Sequence, residues 1–94
     1  MGRTPIHPGE ILGQELDALE LRATELATRL DVPVERVSDL VEARADLSAE
    51  MALRLARYLG TSPEFWLNLQ KAYELDLARQ RLGDALERLP QHAA

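Results

Sequence analysis

The chain has 94 residues, 46% of them hydrophobic, and its 11 Lys+Arg against 16 Asp+Glu give a formal net charge of −5. That length fits one domain with a small core, so part of the stability is expected to come from a partner. With no cysteine, a disulfide framework and a zinc-finger spacing are both excluded, and a reducing, cytoplasmic setting is expected.

Strand signals are absent, since Leu, Ala, Glu and Arg dominate and apolar residues recur at helical spacing. The pattern predicts an all-α bundle of five to six helices. The first helix should begin at Pro8, with Glu10 at its positive end and Ile11, Leu12, Leu16 and Leu19 facing inward. A short second helix is expected over residues 23–30, with Ala23, Leu26, Ala27 and Leu30 on one side, broken by Asp31-Val32-Pro33. The third should occupy residues 34–43, with Val34, Val37, Leu40 and Val41 inward, and Ala45-Asp46-Leu47 as a connection. Ser48 is placed to cap a fourth helix carrying Ala52, Leu55, Ala56 and Leu59, which Gly60 should end. Ser62-Pro63-Glu64 opens a fifth, with Phe65, Trp66, Leu69, Tyr73 and Leu77 along it.

Leu75, Ala78, Leu82, Ala85 and Leu89 follow at alternating spacings of three and four. This is an a/d seam of two heptads, too short to demand a coiled coil. It packs either on its own domain or between subunits. Gly83 lies off the seam and should weaken the helix by about 1 kcal/mol relative to Ala. The organisation expected is a helix-turn-helix domain over residues 1–69, a helical extension over 70–90 with a possible subunit contact, and a frayed tail over 91–94.

Two short helices joined by a tight turn over residues 23–43 suit a helix-turn-helix, although a bundle unrelated to DNA would share some of this spacing. Ala27 keeps the crossing close, Val32 plugs the angle, and Val37 and Leu40 anchor the second helix. In such a unit the N-terminal residues of the second helix reach base edges in the major groove. The residues placed to meet DNA are Arg22, Ala23 and Thr24 at the start of one helix. Pro33, Val34, Glu35, Arg36, Ser38 and Asp39 on the other and Arg44 just beyond it complete the set. Arg36 and Ser38 can donate to bases or phosphates; Glu35, Asp39 and Glu42 repel phosphate, although an acidic side chain can accept from cytosine N4. Residues 1–60 hold seven Arg and eleven Asp+Glu, residues 61–94 four basic and five acidic side chains. Any DNA affinity must therefore come from local placement of arginine, and an acidic whole also suits a basic protein partner. Arg54 and Arg57 are expected in ion pairs, since Glu50 lies one turn before Arg54.

Ile6-His7-Pro8-Gly9-Glu10-Ile11-Leu12 resembles the opening of the HigA-type antitoxins, addiction-module antidotes of the XRE helix-turn-helix group. Thr24-Glu25-Leu26-Ala27, Ala52-Leu53-Arg54-Leu55-Ala56 and the run from Gly60 to Gln70 resemble the family in the same order and spacing. The resemblance covers residues 5–78. It implies a lambda-repressor-like fold, a homodimer that represses its own operon by binding operator DNA, and neutralisation of a small basic, mRNA-cleaving HigB-like toxin encoded adjacent. The sequence departs from the family where DNA is read. Asp31 replaces the usual turn glycine, though Asp tolerates a left-handed backbone. Arg22 and Pro33 replace the usual small polar caps, at about 1 kcal/mol each.

His7, just before Pro8, reads as a cap or packing residue rather than a metal ligand, with no second His or Cys nearby. A subunit contact is expected from Phe65, Trp66, Leu69, Tyr73, Leu75, Ala78 and Leu82, with Phe65 and Trp66 equally suited to the core. No carboxylate pairs with His, Ser or Cys in a catalytic arrangement, and no phosphate loop or ligand cluster stands out. No enzyme activity, cofactor, metal or small-molecule substrate is expected. Met1 to Glu10 shows no secretory pattern and no apolar run spans a bilayer, so no membrane partner is expected either. Three functions stay open: an antitoxin that also represses, a regulator without a toxin, and an interaction module that has lost DNA binding.

Overall fold

Six helices and no strand make up residues 4–93, the part described by the computed structural model: α1 Pro8–Leu19, α2 Ala23–Leu30, α3 Val34–Val41, α4 Ala49–Leu59, α5 Pro63–Leu82 and α6 Asp84–Arg88. Met1, Gly2 and Arg3 of the opening stretch, and Ala94 of the expected tail, lie outside the described residues. No described helix is long and apolar enough to cross a membrane.

The helix boundaries follow from local chemistry. His7 caps α1: its Nδ1 accepts the Gly9 N–H at 2.9 Å, and Glu10 Oε2 accepts the His7 N–H at 3.3 Å. An Nδ1 that accepts leaves the proton of a neutral ring on Nε2. The ring is buried and meets Tyr73 edge to face, centroids 4.8 Å apart. Ser48 and Ser62 cap α4 and α5 by accepting from the N–H groups of Met51 and Phe65. Gly60 ends α4 at φ 79°, a conformation glycine adopts without strain.

One core unites the first five helices. Leu12 and Leu16 of α1, Leu26, Ala27 and Leu30 of α2, Val37 and Leu40 of α3, Met51, Ala52 and Leu55 of α4, and Trp66 of α5 form a single buried cluster. Burying each large apolar side chain contributes roughly 1.5–3 kcal/mol. α1 and α3 meet backbone to backbone. A Cβ on Gly9 would lie 1.8 Å from the Leu40 carbonyl oxygen, so only glycine lets these backbones meet.

Several expectations are corrected. Leu19 is 51% exposed, because α1 ends there and Glu20 turns into a left-handed conformation at φ 54°. The third helix stops at Val41, and Ala43 takes φ 61° while Arg44 N–H bonds back to Asp39 O at 2.7 Å. Leu47, expected only as a connector, belongs to the core. Gln70 of α5 explains how: its Oε1 accepts the buried Leu47 N–H at 2.8 Å, while its Nε2 donates to Glu74 at 2.9 Å.

Trp66 is 1% exposed within its own chain, and its indole N–H bonds to the Thr61 hydroxyl at 2.8 Å. Its ring is thus withdrawn from the expected subunit contact. Leu75 and Leu82 lie nine and sixteen residues after Trp66, roughly 180° and 160° around a helix, and both are exposed. Apart from Ala78, which is half-buried, the seam does not pack on its own domain. It is also interrupted, since Gly83 (φ 48°, ψ −128°) ends α5 rather than merely weakening it. Leu86 and Leu89 beyond it are exposed as well.

Candidate nucleic-acid interface

The turn between α2 and α3 forms without glycine. Asp31 adopts φ 59°, ψ 50°. Its N–H and that of Val32 bond to Thr28 O and Ala27 O at 3.2 and 3.0 Å, closing the end of α2. Val32 is half-buried against the core, between the two helices, and Ala27 is buried at their crossing. Neither Arg22 nor Pro33 supplies a side-chain cap. At α2 the loss is partly made good by Glu25, whose Oε1 accepts the Arg22 N–H at 2.9 Å. The N–H groups of Ala23 and Thr24 remain at an outward helix start, where backbone donors and the helix dipole favour an anion.

Val37 and Leu40 fix the inward side of α3. The opposite side carries Glu35, Asp39 and Glu42, spaced at i, i+4 and i+7. Arg36 and Ser38, expected to be free to donate to DNA, stand on its flanks and are half-buried. Arg36 leans over toward α4, where its Nη2 meets Glu50 Oε1 at 3.4 Å. Glu50 also takes Arg54 Nη2 at 3.1 Å. Arg54 in turn donates from Nη1 to the Leu30 carbonyl at 2.6 Å, a cation on the negative end of α2. The expected Arg54–Glu50 pair is therefore present, and it is one link of a chain running from α3 through α4 to the end of α2.

Arg44, expected to be free for phosphate, is held by its own neighbours. Asp39 Oδ1 accepts from its Nε and Nη2 at 3.1 and 2.8 Å, and Glu42 accepts from Nη1. These bonds, to Asp39 first and Glu42 second, raise the Arg44 pKa above its usual value. Glu50 is held below the ordinary carboxylate value, chiefly by its hydrogen bond from Arg54 and then by the charge of Arg36. Arg22 and Thr24 are exposed at the start of α2, and Pro33, Val34 and Glu35 open α3 just past the other end of α2. The structure thus gathers the ten expected residues around one helix pair. The partners Glu50 and Arg54 were missing from that set; the i, i+4 spacing of Glu50 and Arg54 was the one available signal.

A short helix packed across a second one, its far side exposed and its near side locked by a common core, defines a helix-turn-helix protein. The helix-turn-helix family HTH_3 matches residues 12–66. An addiction module antidote protein of the HigA family from Coxiella burnetii superposes with a TM-score of 0.91 at 42% identity, covering 97% of this chain and 100% of that one. Antitoxin HigA of Pseudomonas aeruginosa, solved with the higBA promoter, does so with a TM-score of 0.88 at 40% identity, covering 97% and 100%. Antitoxin HigA-1 of Vibrio cholerae is 39% identical over 80 residues, 84% of this chain and 75% of its own. The chain belongs to the HigA family of antitoxins, within the helix-turn-helix proteins.

Proposed function

We propose that this chain is a cytoplasmic antitoxin that binds operator DNA at its own promoter as a homodimer and neutralises a small basic toxin encoded beside it. The observation that carries the DNA reading is the α2–α3 pair with its outward side exposed, in a chain so close in sequence and fold to a HigA solved on a promoter. The start of α2, with Arg22, Ala23 and Thr24, meets a phosphate; the first turns of α3, with Pro33, Val34, Glu35, Arg36, Ser38 and Asp39, enter the major groove. Arg36 and Arg44 exchange their carboxylate partners for DNA. Two chains must set their α3 helices about 34–36 Å apart to serve successive grooves. Leu75 and Leu82, with Ala78, offer the uncovered apolar row for that pairing; Phe65, Leu69 and Tyr73 form a separate strip nearer the start of α5.

The test is a titration of the chain's own promoter fragment, with co-expression of the neighbouring gene. A shift that weakens steeply with salt and is lost in Arg22→Ala/Thr24→Ala is expected. Co-purification with the neighbour, and relief of its toxicity, is expected too. Promoter binding without any effect on the neighbour would leave a regulator and remove the antitoxin role. A second reading, an interaction module that has given up DNA, draws on the acidic row Glu35, Asp39 and Glu42. It requires that no promoter fragment shifts near physiological salt.

A further inference from the structure

Of the outward row of α3, Asp39 and Glu42 are occupied, as is Glu50 across on α4. Asp39 and Glu42 accept from Arg44, and Glu50 accepts from Arg36 and Arg54. Glu35 is different. It is exposed in the first turn of α3, and among the described residues its side chain makes no hydrogen bond or ion pair. It also lies on the side away from Val37, at the end of the helix whose residues reach base edges in this kind of unit.

An unpaired carboxylate brought into a DNA groove meets the field of the phosphates and loses water. That is unfavourable unless the DNA supplies a donor. In the major groove the donors are the N4 amino group of cytosine and the N6 amino group of adenine. Adenine sets its N6 beside N7, an acceptor that repels a carboxylate. Cytosine presents its amino group without that neighbour on the same base. We propose that Glu35 reads sequence: its carboxylate accepts a hydrogen bond from the N4 amino group of one cytosine in each operator half-site. This rests on the DNA-binding reading above and adds the base that the acidic helix selects. Glu35 is preferred over Asp39 and Glu42 because it stands at the N-terminal end of α3 and has no cation of its own, whereas each of the other two holds Arg44 through one oxygen in the free protein.

The experiment measures wild type, Glu35→Gln and Glu35→Ala against promoter fragments in which each operator base pair is replaced in turn, at one salt concentration. Thermal melts check that the variants fold. Wild type should lose about tenfold or more when one C·G pair per half-site is changed. Glu35→Gln should prefer A·T at that same position, since an amide pairs with adenine N6 and N7 together. Glu35→Ala should accept all four bases there. If wild type binds the promoter and all three proteins share one base profile, the assignment is overturned. If Glu35→Gln leaves that profile intact and instead weakens capture of the neighbouring basic protein, Glu35 belongs to a protein contact and the assignment is again overturned. If wild type binds no fragment, the DNA reading itself fails and this assignment goes with it.

Discussion

The Oδ1 oxygen of Asp39 receives two donors from Arg44, Nε at 3.1 Å and Nη2 at 2.8 Å, so the cation nearest the end of α3 is neutralised by the helix it follows. The pair is exposed on both sides and adds little to stability. In the proposed DNA-binding role its effect falls on the duplex. Asp39→Asn with Glu42→Gln should free Arg44 and remove two negative charges from the groove-facing side. Promoter affinity should rise, most at low salt, because Arg44 no longer has to leave two carboxylates to meet a phosphate. Anisotropy titrations between about 50 and 200 mM salt check this; an affinity unchanged at the lowest salt would mean that Arg44 does not reach a phosphate.

Gln70 holds the connection after α3 to α5 through the buried Leu47 N–H. Gln70→Ala leaves that donor without an acceptor, and an unsatisfied buried donor destabilises by about 1–3 kcal/mol. For a domain of this size each kcal/mol corresponds to roughly 4–8 °C in Tm. A melting curve unchanged from wild type would show that the connection is held by other means.

Gly9 sets the spacing of α1 and α3. The atom that a new Cβ would strike is the Leu40 backbone oxygen, which cannot move aside as a side chain can. Gly9→Ala should destabilise by about 1–3 kcal/mol through overpacking. It should also weaken promoter binding, because α3 carries the residues proposed to read DNA. Equilibrium urea unfolding and the same titrations report both effects; stability and affinity both at wild-type values would refute the tight contact.

The pH dependence around Glu50 has a definite sign. Arg54 and Arg36 lower its folded pKa below the ordinary 4.5, so its ionised form is favoured by folding. That contribution is complete above the ordinary value and disappears as pH falls through the lowered one. Glu74 behaves alike through Gln70 and then Lys71. Both groups are solvated, so each effect is small. Glu50→Gln should show a lower urea midpoint than wild type at neutral pH, with the gap closing on acidification. A gap that stays constant down to acid unfolding would rule out this linkage.

Much of the fold was legible because helix ends are written locally. Ser48, Gly60, Ser62, Pro8 and Pro63 all mark the boundaries at which they were expected, and α2 spans the predicted residues. The tolerance of Asp31 for a left-handed turn was legible for the same reason. What the sequence concealed depends on partners far along the chain. Gln70 meets Leu47 across 23 residues, and Arg36 meets Glu50 across 14. No local pattern shows that a lone leucine in a connection is core, or that an arginine on one helix is held by a carboxylate on another. The exposure of Leu75 and Leu82 was hidden in the same way, since a heptad spacing does not say which surface it meets.

Arg54 sits on α4, outside the two helices that give the motif its name, yet it closes the last carbonyl of α2 and steadies the carboxylate that holds Arg36. Grafting residues 22–44 onto a foreign scaffold would therefore transplant the shape without its fastening. The recipient would need an equivalent of α4, bringing both Glu50 and Arg54, before the borrowed helices kept their angle and their arginine kept its aim.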